Sequence, residues 1–219
     1  MEEEILITNY DVHFFEIAKK HIKLFFEYGN ILKNKWIGIE DNTKKFDEDF
    51  DKKYFKKNEK LLNEAAEARN RRDESGDIVI VFSAMCLEAI INHYAIIKLS
   101  KSYFKNHLDH INMKNKWILI PKLILNKDFN KDSQAYEFLD KLIKNRNDLV
   151  HYKSRILKIT PELKKQREEE EKEFIQNVKD AINSIFLVTE TLYKIDSDWS
   201  EYQFFDRKRW GNSEIQKYI

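Results

Sequence analysis

An all-α fold is predicted by three observations. The 219 residues hold only four Gly and two Pro, and turns depend on those residue types, so the chain consists of few, long elements. Apolar residues recur three and four apart over most of the chain, the spacing of a helix face turned to a core. Start and stop signals of helices stand at the ends of several of these stretches. The apolar share of 42%, with 13% aromatic residues, is enough for one large core, so residues 1–219 are read as a single helical domain.

The elements follow in order. Residues 10–28 carry Val12, Phe14, Phe15, Ile17, Ala18, Ile22, Leu24, Phe25 and Phe26, an amphipathic helix stopped by Gly29. Residues 31–40, interrupted by Gly38, read as a loop or turn that lays Trp36 on the core. The acidic cluster Asp47, Glu48, Asp49 and Asp51 reads as a solvated loop or helix start. Residues 52–72 read as an exposed helix ending in Arg69, Arg71 and Arg72, cations suited to a helix C-terminus. Gly76 then opens residues 77–100, apolar on all sides, a helix buried on most of its surface. Ser83, Glu88 and Asn92 interrupt it, and Glu88 and Asn92, four apart, share a face.

Residues 101–115 are polar, with His107 and His110 at a His-x-x-His spacing near Asp109. No third ligand stands at a motif spacing, so they are read as surface histidines and no metal is expected. In residues 117–125 Pro121 marks the first turn of a short helix. Residues 126–133 are a polar connection to the helix that carries Arg146. Thr160-Pro161-Glu162-Leu163 pairs an N-cap with Pro at the first helical position and opens a long helix. Its first half is the acidic run 168–173; its second half packs Phe174, Val178, Ile182, Ile185 and Leu192 on the core. The tail 196–219 holds Trp199, Tyr202, Phe204, Phe205, Trp210 and Tyr218. Such aromatics are core or interface material, with a stacking platform for bases as the alternative.

Composition also limits the function. A net charge of +1 gives no overall attraction to nucleic acid, so any such binding must come from a local patch. The single Cys86 excludes an internal disulfide framework and a cysteine zinc cluster, which fits a reducing cytoplasm. The start MEEEILITNYDVHFF is acidic and lacks the basic region of a signal peptide. Glu88, Asn92 and His93 interrupt the longest apolar run, so no membrane span is expected. No phosphate-cradling Gly loop, nucleophile elbow or metalloprotease signature is present.

The chemistry concentrates in residues 140–155, DKLIKNRNDLVHYKSR. Leu139, Leu142, Ile143, Leu149 and Val150 form an apolar stripe whose missing member is Arg146. His151, of the side-chain type that changes charge near neutral pH, follows five residues later. Glu88 is the expected partner of Arg146, either as a structural ion pair between core helices or as a functional pair. Residues 139–158 carry a local balance of +4, with Lys144, Lys153 and Arg155 among the cations that would contact phosphates.

Arg146-Asn147-Asp148-Leu149-Val150-His151 fits the R-x(4–6)-H motif of the HEPN superfamily, which this chain resembles over roughly residues 77–193. The run Leu87-Glu88-Ala89-Ile90-Ile91-Asn92 resembles the buried early helix of many members, and Tyr152-Lys153 after the histidine is also familiar from the family. The resemblance implies an up-and-down helical bundle; it does not account for residues 1–75, read as an N-terminal helical extension, or for the C-terminal aromatic tail. It implies a metal-independent endoribonuclease, a toxin or defence effector, acting without cofactor on RNA as a homodimer, with an antitoxin as a further partner. Arg146 and His151 would be catalytic with Asn147, in a cleft at the dimer interface. Glu88, Asn92, Asp148 and Tyr152 would support them. On a straight helix, residues five apart lie about 140° from one another and about 7.5 Å apart along the axis, so Arg146 and His151 meet only if the helix ends or bends between them or if two copies converge. The alternative is a non-catalytic helical dimerisation or interaction module.

Overall fold

In the computed structural model, residues 10–43, 50–151, 162–199 and 205 are described, and every regular element among them is helical. The chain is an all-α bundle. Helix α1 (Tyr10–Thr43) runs antiparallel to α2 (Phe50–Leu99): Asp11 meets His93, Phe14 meets Phe82, and Gly29 lies against Arg72. A short turn α3 (Lys101–Tyr103) passes into a π-helical stretch, Phe104–Leu108, and then come α4 (Met113–Leu125), α5 (Gln134–Val150) and α6 (Glu162–Ile195). Helix α6 lies parallel to α2, with Arg72 beside Glu171 and Tyr94 beside Asp196. Helix α5 is antiparallel to α6, held by Lys141 on Asp180 (2.8 Å) and by the Ser184 hydroxyl donating to the Phe138 carbonyl (3.3 Å).

The core forms where α2 is buried by its neighbours. Val79, Ile80, Leu87, Ile90, Ile91 and Tyr94 from α2 meet Phe15, Ile22 and Phe25 from α1 and Val178, Ile182 and Ile185 from α6. Part of α2, Asn58–Leu99, is long and apolar enough to cross a bilayer by length and composition, and half of its most apolar window is buried in this bundle. The described tail aromatics also join the core: Trp199 packs edge-on against Tyr94, and Phe205 against Phe15. Tyr202, Phe204, Trp210 and Tyr218 lie outside the described residues, as do Asp47, Glu48 and Asp49. The Tyr94 hydroxyl and the Lys98 ammonium both reach Asp196 at 2.8 Å. Burial alone would raise the Asp196 carboxyl, but Lys98 and Tyr94 outweigh it and hold the group below its ordinary value.

Three expected helix breaks are helix interior. Helix α1 does not stop at Gly29; it continues through Gly38 to Thr43, and Trp36 is 44% exposed rather than laid on the core. A glycine costs a helix about 1 kcal/mol relative to alanine. Contacts with α2, including the small cluster Leu32, Ala65 and Ala68, outweigh that. Helix α2 likewise passes through Arg72 and Gly76 without a boundary. Arg72 is buried, bridging Asp73 (2.8 Å) and Glu171 (2.7 Å). Helix α4 starts eight residues before Pro121, at Met113, where the Asn112 side chain accepts the Asn115 N–H (2.9 Å). The burial of Trp117, Ile120 and Pro121 offsets the hydrogen bond that the proline removes. The Thr160-Pro161 cap lies outside the described residues, and α6 is helical from Glu162.

Next to Gly76, burial pushes the Asp77 carboxyl up to about 6, with Asp73 adding to the effect. A raised carboxyl keeps its proton in the folded chain after the unfolded chain has released it. Its contribution to stability is therefore full at acid pH and is lost as pH rises from about 4 to about 6. Asp77→Asn is expected to stabilise the fold by about 1–2 kcal/mol near pH 7.5, allowing for solvent screening. The difference should vanish near pH 4, as urea melts at the two pH values would show.

Candidate functional site

Helix α5 places the motif. Ser133 caps its start by accepting the Tyr136 N–H (3.3 Å). Ala135, Leu139 and Leu142 bury its inner face. The helix then carries Arg146 and Asn147 into a pocket of about 270 Å³ that it shares with α2 and the start of α4. Arg146 is half-buried, and its Nη1 donates to the Asn147 side-chain oxygen at 3.0 Å. Glu88 enters from α2, and Asn112 and Met113 from the α4 start. The off-pattern arginine of the α5 stripe therefore faces an opening, not the packed core.

The expected Glu88–Arg146 ion pair is not formed. The Glu88 side chain is 44% exposed, so it is not a buried carboxylate in need of a core cation. Its ion-pair partner is Lys116, at 3.9 Å. Lys116 has a side chain only 2% exposed, and its ammonium also sits 5.2 Å from the centre of the Phe104 ring. Among the described residues no carboxylate lies within ion-pair distance of Arg146. Among the described residues, then, Glu88 pairs with Lys116 and Arg146 keeps its charge without a carboxylate partner.

The other motif residues do not gather here. His151 closes α5, its backbone N–H donating to the Asn147 carbonyl (2.9 Å), and its side chain is exposed outside the pocket. Helix α5 therefore stays helical through Val150 and ends at His151. Asp148 and Lys144 are exposed and do not line the pocket. Asn92 does not reach it either; its side-chain oxygen is buried with no hydrogen-bond partner among the described residues. Tyr152, Lys153 and Arg155 lie outside the described residues. Lys116, Asn112, Met85 and Met113 were not anticipated. Lys116 had a signal, because it stands four residues before the fully buried Ile120 and so on the same face of α4.

His107 and His110 are exposed, and the His107 ring lies 4.8 Å from that of Tyr103. Among the described residues no group of three or more His, Cys, Asp or Glu could hold a metal ion. Compared with family models, with curated proteins and with solved structures, the chain gives no match.

Proposed function

We propose that the chain is a metal-independent endoribonuclease of HEPN type, with Arg146 and His151 acting at a cleft between two copies. The observation that carries this reading is Arg146 in an open pocket beside Asn147, with Glu88 turned instead to Lys116. A guanidinium with no acidic partner among the described residues suits a phosphate whose charge grows in the transition state. RNA supplies the nucleophile. The 2′-oxygen bonds to phosphorus as the bond to the 5′-oxygen breaks, and an imidazole accepts the 2′-OH proton or protonates the leaving oxygen. Asn147 is placed to orient the guanidinium. The products are a 2′,3′-cyclic phosphate and a 5′-hydroxyl.

The separation of Arg146 from His151 along α5 gives the reading a specific form. The histidine that serves one Arg146 pocket belongs to the second copy, across an isologous interface. Mixing inactive Arg146→Ala with inactive His151→Ala protein should then restore cleavage, because a mixed dimer has one site with both groups. Mixtures as inactive as the separate variants would contradict the shared cleft. A second reading, a non-catalytic helical dimerisation or interaction module, is favoured by one observation: His151 lies outside the pocket that holds Arg146. Wild-type protein that dimerises and leaves RNA intact would establish it.

A further inference from the structure

A second opening lies away from Arg146, between α1, α2 and the first half of α6, with a volume of about 910 Å³. Small-molecule sites span roughly 300–1,000 Å³. Its floor is apolar, formed by Phe25, Phe26, Leu32 and Ile175. Its walls carry four cations, Lys33, Arg69, Arg72 and Arg167, against two acids, Glu168 and Glu171. Trp36 lines the opening and is 44% exposed.

The charges are arranged, not scattered. Glu171 bridges Arg72 (2.7 Å) and Arg69 (2.5 Å), and Asp73 takes the remaining side of Arg72. The shared carboxylate ties the two arginines of α2 to α6. Burial would lower the Arg72 guanidinium, but Glu171 and Asp73 outweigh it and stabilise its charged form. Arg69 keeps a half-exposed side chain facing the opening. Lys33 and Arg167 form no ion pair among the described residues. An apolar floor under an excess of positive charge selects a ligand with both features.

We propose that this cleft binds a small amphipathic anion, a carboxylate or phosphate head on an apolar body, with the head on Lys33, Arg69 and Arg167 and the body along Phe26, Leu32 and Trp36. Nothing in this proposal depends on the Arg146 pocket. Two classes of compound share this chemistry, fatty carboxylates and aryl phosphates, and the test separates them. Full-length protein is titrated by calorimetry and tryptophan fluorescence with dodecanoate and with 1-naphthyl phosphate. The neutral analogues dodecanol and 1-naphthol are run beside them.

At least one anion should bind with one site per chain, and its neutral analogue should bind about tenfold or more weakly. The arm that saturates identifies the class. Lys33→Ala/Arg167→Ala should weaken binding about ten- to hundredfold. The control Lys60→Ala/Lys165→Ala removes two cations of 89% and 83% exposed side chains outside the cleft and should bind as wild type. The proposal is overturned if neither anion saturates, if the neutral analogues bind equally well, or if the two double variants behave alike.

Discussion

Arg146→Ala is expected to slow RNA cleavage by about 10²- to 10³-fold, the cost of removing a donor aimed at developing charge. Stability should change by less than about 1 kcal/mol. The two expectations come from the same geometry. Arg146 lines a pocket, donates to the neighbouring Asn147, and has no carboxylate at ion-pair distance among the described residues. Its removal strands no buried charge, because Glu88 is 44% exposed and paired with Lys116. A core ion pair would behave in the opposite way. Losing one partner would cost about 3–5 kcal/mol of stability. Single-turnover cleavage and urea melts on the same preparation separate the two cases. A large loss of stability would return Arg146 to a structural role.

Gly76→Val should cost about 3 kcal/mol of stability, at the upper end of what overpacking causes. Gly76 is helical with no positive φ, so its conformation would suit any residue. What it supplies is space. A Cβ built there would lie 2.6 Å from the Phe174 ring and 3.0 Å from both Phe25 and Val178. The close approach is where α1, α2 and α6 meet, so a side chain there pushes all three apart. The Phe174 contact is made by the tip of a half-buried ring that can move. Phe174→Ala should therefore recover part of the loss when combined with Gly76→Val, a coupling that a double-mutant cycle measures. Gly76→Val protein as stable as wild type would contradict the packing.

The same glycine shows what was and was not legible in the sequence. The all-α class was legible, because scarcity of Gly and Pro and helical spacing of apolar residues are properties of the whole chain. The boundaries were not. Gly29, Gly76 and Pro121 look in the sequence like edges of helices and lie inside them. A local penalty of about 1 kcal/mol for glycine, or about 3 for proline, is smaller than what long-range packing supplies there, and packing partners cannot be read from neighbours in sequence.

The site followed the same division. Arg146 broke the α5 stripe, and the structure puts it in a pocket. The sequence points Glu88 to Arg146 and not to Lys116, because its partner depends on where α4 begins. With the start set at Asn112, Lys116 falls on the inner face of α4 with Ile120 and reaches Glu88. With the start placed at Pro121, Lys116 had no face at all. Helix geometry alone sets Arg146 and His151 on different faces, and α5 is helical up to Val150.

The measurement that tests the central claim most directly is cleavage of RNA in EDTA by wild-type protein beside His151→Ala, with analysis of the product ends. Wild type should cleave in EDTA and leave 2′,3′-cyclic phosphate ends, and the variant should be inactive. RNA left intact by both proteins would contradict the claim, as would cleavage that His151→Ala preserves or products with 3′-hydroxyl ends.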